Sequence, residues 1–83
     1  MYQAVLKKEA QKNLAKIDKR FVLRIQNAIS ALRVNPYIGK PLDGRLAGQY
    51  SIMVWPYRII YTIYKDKLVI LVLAIKHRQG AYK

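Results

Sequence analysis

The apolar residues of the first third of the chain recur with the period of an α-helix. A first set recurs at spacings of four, four and three residues and consists of Leu6, Ala10, Leu14 and Ile17. Residues at these spacings share one face, so we predict a short helix that begins near Lys7. A second set continues the stripe and consists of Ile17, Phe21, Ile25, Ala28 and Leu32. It predicts a second helix, with Asp18 as the N-cap because its carboxylate can accept from free backbone N–H groups.

Shorter segments bound this helical hairpin on both sides. Met1–Leu6 is short and mostly apolar, and we predict that it forms a first strand. Pro36 disfavours the helical conformation at Asn35 and therefore ends the second helix. The segment Asn35–Gly48 contains two prolines and three glycines, which is typical of a loop with tight turns. Its apolar side chains indicate that the loop packs against the domain, and they are Tyr37, Ile38, Leu42 and Leu46.

The second half of the chain has the composition of β-strands. Two runs rich in Ile, Val and Tyr predict strands at Tyr50–Val54 and Tyr57–Tyr64, separated by a turn at Trp55–Pro56. After a further turn, Leu68–Ile75 is apolar on both faces, as expected of a central strand. We therefore predict a single α+β domain over residues 1–83 with the order βααβββ. The predicted architecture is one antiparallel sheet with the N-terminal helical hairpin packed on one face.

The composition excludes several classes of protein. A chain of 83 residues has room for one domain, and a hydrophobic fraction of 53% argues against disorder. It has no cysteine and a single histidine, so a disulfide framework, a thiolate site or a multi-histidine metal site is not available. With four acidic residues in all, the chain has few carboxylates from which to build a cage for a metal ion. We therefore predict that the protein uses no metal and no cofactor.

The apolar runs are also too short for a membrane span. The longest, Leu68–Ile75, falls well below the roughly 20 residues that a membrane helix needs. The first residues lack the layout of a signal peptide, in which a charged segment precedes an apolar one. We expect a soluble, cytoplasmic domain.

Positive charge is the strongest compositional feature of the chain. Sixteen Lys and Arg residues against four Asp and Glu residues give a formal net charge of +12. The excess is spread evenly, because residues 1–33 and residues 34–83 each carry eight basic and two acidic residues. Such a density of like charge favours an anionic partner, which we expect to be nucleic acid or an acidic protein.

The residues best suited to chemistry lie in the second half of the chain. They are Arg58, Lys76, His77, Arg78 and Tyr82. Guanidinium groups with an imidazole and a phenol suit phosphate chemistry without a metal, because the cations can stabilise developing negative charge. With RNA as substrate, the 2′-hydroxyl supplies the nucleophile. On these residues alone, a solvated basic rim at the end of a sheet remains the alternative interpretation.

Strand alternation gives these residues a predicted arrangement. If the Trp55–Pro56 turn is tight, Ser51, Met53 and Arg58 lie on one face of the sheet. His77 is a candidate proton acceptor, and the same alternation places it on the face opposite Arg78, which argues against that role. Trp55 has two open interpretations, packing over its hairpin or stacking on a base.

The second half combines Tyr57–Tyr61, a turn, an apolar strand, and Ile75–Arg78 followed by Tyr82. The preceding loop, Pro41–Tyr50, has Leu, Gly, Leu, Gly and Tyr at alternate positions. This combination resembles the RelE/ParE superfamily of toxins from bacterial and archaeal toxin–antitoxin systems. The helical hairpin and the break at Asn35–Pro36 fit as well, so the resemblance covers essentially the whole chain. It implies a compact, microbial-ribonuclease-like fold, the RelE fold.

The superfamily has two branches with different targets. RelE-like members are endoribonucleases that cut mRNA in the ribosomal A site, whereas ParE-like members poison DNA gyrase and lack the cutting residues. The resemblance favours the RelE-like branch and implies a toxin that inhibits translation through metal-free attack by the 2′-hydroxyl. It also implies an acidic antitoxin, the ribosome and mRNA as partners, and no membrane. The alternatives are a ParE-like gyrase poison and a catalytically weak RNA-binding relative.

The resemblance assigns roles to individual residues. Arg58 matches the arginine that acts on the scissile phosphate, and Arg78 matches the arginine that stabilises charge and assists the leaving group. Tyr82 matches a tyrosine that orients or stacks on the substrate nucleotide. Two departures concern the strand entered through Tyr50, where family members usually carry two basic residues and this chain has Ser51 and Met53.

Four further residues are candidates for contact with RNA. Lys40 and Arg45 lie in the loop beside the predicted sheet, where phosphate contact and simple solvation are both open. Lys76 and His77 directly precede Arg78 at the end of the last strand.

Overall fold

Five strands form one sheet in the order β1-β5-β4-β3-β2, and two α-helices precede four of them in the chain. The structure, a computed structural model, describes residues 1–78. The elements in this range are β1 (Gln3–Leu6), α1 (Lys8–Lys16), α2 (Lys19–Val34), β2 (Lys40–Pro41), β3 (Gln49–Val54), β4 (Tyr57–Tyr64) and β5 (Val69–His77). The predicted α+β class with an N-terminal helical hairpin is confirmed.

The strand pairing differs from the prediction at one edge of the sheet. The pairs β2–β3, β3–β4 and β4–β5 are antiparallel, as the short turns between the last strands require. β1, however, pairs with β5 in parallel. The prediction of a wholly antiparallel sheet was wrong here, because no hairpin turn joins β1 to β5 and fixes their relative direction.

The loop after α2 contributes a strand that the sequence pattern did not predict. Lys40 and Pro41 form β2 and pair with Ser51 and Tyr50 of β3. The observed order is therefore βααββββ rather than βααβββ. β2 has two residues and lies at the edge of the sheet, which is where a proline without an N–H donor is tolerated.

Both predicted helix boundaries are confirmed. The Asp18 carboxylate accepts from the backbone N–H of Arg20 at 2.8 Å, so Asp18 caps the N-terminus of α2. The same hydrogen bond, with a second one from the Arg20 side chain, lowers the pKa of Asp18 below its ordinary value. At the other end, α2 stops at Val34, two residues before Pro36.

The core lies between the helical hairpin and one face of the sheet. Helix residues Ala10, Ile25 and Leu32 are fully buried, as the stripes predicted. Ile29 is also buried although it lies outside the predicted stripe. The sheet supplies side chains from its three central strands, among them Tyr50, Ile52, Ile59, Tyr61, Ile70 and Val72.

The other face of the sheet positions the candidate site. Side chains alternate along each strand, so the residues between the core positions of β3, β4 and β5 point away from the helices. We call this surface the open face and define it by Ser51, Met53, Arg58 and Lys76.

Candidate nucleic-acid interface

Arg58 lies at the centre of a row of side chains that crosses the open face. In the register of the sheet it is paired with Met53 of β3 on one side and with Lys76 of β5 on the other. Its Nη1 atom donates to the Oγ atom of Ser51 at 3.3 Å, two residues away from Met53 on the same strand. The predicted common face of Ser51, Met53 and Arg58 is therefore confirmed.

Positions 51 and 53 of β3 differ sharply in their environment. Ser51 is buried, with 2% of its surface exposed, and its hydroxyl is a partner of Arg58. Met53 is 40% exposed and lies directly opposite Arg58. The thioether of Met53 thus occupies the more accessible of the two positions, and it has neither charge nor a titratable proton.

Arg78 reaches the same end of the sheet from the end of β5. Its backbone N–H donates to the carbonyl oxygen of Pro56 at 2.8 Å, which ties the residue to the turn between β3 and β4. Its guanidinium carbon lies 4.7 Å from the centroid of the Trp55 ring. Because Arg58 is paired with Lys76, only two residues before Arg78, both arginines belong to one end of the sheet.

Lys76 takes part in an ion pair at the margin of this cluster. Its Nζ atom lies 3.4 Å from the Oε2 atom of Glu9 in α1, and both side chains are partly exposed. An ion pair in such a setting is worth about 0–1 kcal/mol, so a phosphate group can compete with the carboxylate for the ammonium.

His77 lies on the opposite side of the sheet from Arg58. It is paired with Tyr57, and their rings meet edge to face with centroids 5.6 Å apart. Tyr57 in turn contacts Phe21 of α2, so this pair belongs to the helix side. A phosphate held by Arg58 on the open face is therefore separated from His77 by the sheet.

The two loop cations are separated from one another. Lys40 is exposed on β2, and its backbone is paired with that of Ser51, near Arg58. Arg45 lies in a 3₁₀ turn, Gly44–Leu46, which precedes the start of β3. β3 begins four residues before Met53, or about 13 Å along the strand. The structure thus brings Lys40 close to the arginine cluster and leaves Arg45 at the far end of the sheet.

The predicted role of Tyr82 falls outside the described residues. Among residues 1–78, no group of three His, Cys, Asp or Glu side chains is arranged to hold a metal ion. None of the helices in that range is long and apolar enough to cross a membrane.

Two contacts of the site were not anticipated from the sequence, the ion pair of Lys76 with Glu9 and the cation–π contact of Arg78 with Trp55. The second had a signal in the sequence, because a large aromatic residue in a two-residue turn has few core positions within reach. The first joins residues 67 positions apart, and no local pattern points to it.

Comparison with known proteins gives a consistent result. The chain matches, over residues 4–82, the ParE toxin of the type II toxin–antitoxin system parDE. It is 30% identical over 76 residues to Toxin RelG of Mycobacterium tuberculosis, a match that covers 89% of this chain and 87% of RelG.

The fold agrees with solved structures of such toxins. It superposes on a chain of the RelBE2 toxin–antitoxin complex of Mycobacterium tuberculosis with a TM-score of 0.86 and 29% identity, covering 93% of this chain and 98% of that one. The isolated RelE toxin of E. coli, at 17% identity, has the same fold with a TM-score of 0.83 over 99% of this chain and 89% of its own. With a family match over nearly its whole length, the chain belongs to the RelE/ParE superfamily of toxins of type II toxin–antitoxin systems.

Proposed function

We propose that this toxin is an endoribonuclease that cuts mRNA on the ribosome and so inhibits translation. The observation that carries the proposal is the placement of Arg58 and Arg78 at one end of the sheet, beside the exposed indole of Trp55. Two guanidinium groups can hold the non-bridging oxygens of one phosphodiester, and Arg58 is fixed in place through Ser51.

The proposed reaction breaks one bond and forms another at phosphorus. The 2′-hydroxyl oxygen of the nucleotide attacks the adjacent phosphorus, the bond from phosphorus to the 5′-oxygen breaks, and the products are a cyclic phosphate and a free 5′-hydroxyl. Arg58 and Arg78 act by charge, because a guanidinium stays protonated at neutral pH and stabilises the dianionic transition state. The proton of the 2′-hydroxyl passes to water, and the 5′-oxygen recovers a proton on leaving.

Positions 51 and 53 supply no general base to this route. Ser51 is held by Arg58, and Met53 carries no proton acceptor of useful basicity. A positioned acid or base contributes about 10²–10⁴-fold in rate. We therefore expect cleavage that is slow compared with relatives that carry cations at these two positions.

We also propose that an acidic antitoxin neutralises the toxin. The RelBE2 structure is that of a toxin–antitoxin complex, and the net charge of +12 on this chain favours a partner of negative charge.

The test is cleavage of mRNA by the purified protein in a translating extract. We expect new RNA ends with a 5′-hydroxyl in the presence of the wild-type chain, and a loss of about 100-fold or more for Arg58→Ala and Arg78→Ala. Lys65→Ala is the matched control, because it also removes one positive charge but lies in the turn at the other end of β4. Intact mRNA with the wild-type chain, or equal losses for all three variants, would contradict the proposal.

A second candidate function is poisoning of DNA gyrase. It is favoured by the match to the ParE toxin and by the uncharged residues at positions 51 and 53. A supercoiling assay with purified gyrase separates the two functions, since a gyrase poison inhibits supercoiling and leaves mRNA intact. RNA binding with a steep salt dependence and no effect in either assay would identify a catalytically weak relative.

A further inference from the structure

Trp55 occupies an unusual place for the largest side chain of the protein. It stands in the turn between β3 and β4 with 55% of its surface exposed, at the end of the sheet that carries both arginines. Tyr57, two residues later, packs against Phe21 on the helix side. Of the two interpretations that the sequence left open for Trp55, packing over its own hairpin does not account for this exposure.

The indole is nevertheless held by a specific contact. The guanidinium carbon of Arg78 lies 4.7 Å from the ring centroid, a distance typical of a cation–π contact. The backbone of Arg78 is fixed to the next residue of the turn, because its N–H donates to the carbonyl oxygen of Pro56 at 2.8 Å. The cation covers one of the two faces of the ring, and more than half of the surface of Trp55 is exposed.

The contact with the indole leaves the arginine able to bind phosphate. A guanidinium has five N–H donors in a fixed fork, and a cation–π contact with one ring does not occupy all of them. The contact thus limits the positions that the Arg78 side chain can adopt without using its hydrogen-bonding capacity.

We propose that Trp55 and Arg78 together form a binding site for one nucleotide of single-stranded RNA. The exposed face of the indole stacks on the base, and Arg78, held on the opposite face, contacts the adjoining phosphate. Trp55 is then both a base-binding residue and a positioning residue for Arg78. This inference rests on the proposed endoribonuclease function and adds to it the residue that binds a base beside the scissile phosphate.

The chain carries its own probe for this site, because Trp55 is its only tryptophan. Intrinsic fluorescence is followed while the full chain is titrated, at low salt, with a short single-stranded RNA and with an oligonucleotide of equal length and charge that lacks bases. Stacking on a base quenches the indole, so we expect the RNA to quench fluorescence and the abasic oligonucleotide to bind without quenching.

Variants separate stacking from charge and from folding. Trp55→Ala is expected to raise the Kd for RNA roughly 5- to 150-fold, which is the loss of one base–aromatic stack expressed as affinity. Its affinity for the abasic oligonucleotide should change much less. Trp55→Phe, measured by a labelled RNA, should recover most of the affinity because it keeps an aromatic face. Tyr64→Ala is the matched control, an exposed aromatic residue at the other end of β4.

The outcomes distinguish this inference from the function on which it rests. Cleavage of mRNA by the wild-type chain, together with unquenched fluorescence and an unchanged Kd for Trp55→Ala, would overturn the nucleotide site alone. Neither cleavage nor RNA binding by the wild-type chain would overturn both. Quenching by an acidic polypeptide and not by RNA would assign Trp55 to a protein-binding surface and would also overturn the inference.

Discussion

The side-chain Oδ1 atom of Asn13 accepts a hydrogen bond from the backbone N–H of Ile75 at 2.9 Å, and so joins α1 to the edge of β5. β1 pairs with β5 only as far as Val72, where the backbone N–H of Lys7 continues the contact at 2.9 Å. Beyond that point Asn13 serves as an acceptor for an edge that would otherwise be open. This contact supports the part of β5 that leads into Arg78.

Replacement of Asn13 should therefore destabilise the fold more than its partly exposed position suggests. Asn13→Ala leaves the N–H of Ile75 without its protein acceptor, and we expect the free energy of unfolding to fall by about 1–3 kcal/mol. Urea denaturation measures the change. Asn27→Ala, at an exposed position of α2, is the control and should cost less than about 0.5 kcal/mol. Equal costs for the two variants would show that the edge contact contributes nothing.

Tyr61 joins the segment after α2 to the sheet through a buried hydroxyl. The Oη atom donates to the carbonyl oxygen of Pro36 at 2.7 Å and accepts from the N–H of Gly39 at 3.2 Å. Tyr61→Phe removes both bonds and should lower the free energy of unfolding by about 1–3 kcal/mol. Tyr64→Phe, on the same strand but exposed, removes a hydroxyl in water and is the control. A Cβ atom at Gly39 would collide with the Tyr61 hydroxyl, so Gly39→Ala should be destabilising as well.

The same residue makes stability depend on alkaline pH. Burial raises the pKa of Tyr61 above its ordinary value of 10.0, because the ionised phenolate is poorly solvated there. Because the folded-state pKa is raised, the stability that the neutral Tyr61 hydroxyl contributes is fully present below pH 10. It is lost as the pH rises through the folded-state pKa. Between pH 9 and pH 11, measured by urea denaturation, Tyr61→Phe should therefore lose less stability than the wild-type chain. Parallel pH profiles would contradict this assignment.

The features predicted correctly from the sequence depend on neighbouring residues. Asp18 caps α2 through an N–H two residues away, and Pro36 acts on the residue before it. The common face of Met53 and Arg58 follows from strand alternation and a two-residue turn. Each of these follows from local backbone chemistry, and a single sequence displays it directly.

Most of the features missed join distant parts of the chain. The parallel pairing of β1 with β5 and the short β2 depend on which edges of the sheet are free after the main hairpins have formed. The contact of Asn13 with Ile75 spans 62 positions. In the site, the sequence predicted that Arg58 shares a face with Ser51 and Met53. It did not predict that Ser51 is buried while Met53 is accessible.

Asp18 gives the opposite pH dependence to Tyr61. The hydrogen bond from the backbone N–H of Arg20 lowers the pKa of Asp18 below its ordinary value of 3.8. The stability that the ionised carboxylate contributes is therefore present above pH 3.8 and is lost as the pH falls through the folded-state pKa. Asp18→Asn keeps an acceptor for the cap but no charge, and its stability should change less than that of the wild-type chain below pH 4. Asp18→Ala should lower the melting temperature at every pH. Thermal unfolding followed by circular dichroism tests both variants, and identical acid profiles for wild type and Asp18→Asn would contradict the pKa assignment.

The difference in burial between Ser51 and Met53 predicts which of the two uncharged positions accepts a cation. Met53→Lys places an ammonium group on the accessible side of Arg58, where its repulsion should cost only about 0.2–1 kcal/mol of stability. The new cation can contact phosphate, so the slope of log Kobs against log salt for single-stranded RNA should steepen by about 0.7 and cleavage should become faster.

Ser51→Lys should instead destabilise the fold by several kcal/mol, because it removes the partner of Arg58 and forces a charge into a site that is 2% exposed. Denaturation and RNA titration of the two variants side by side test this directly, and equal stabilities, or a gain in cleavage for Ser51→Lys alone, would show that burial does not govern which position can be charged.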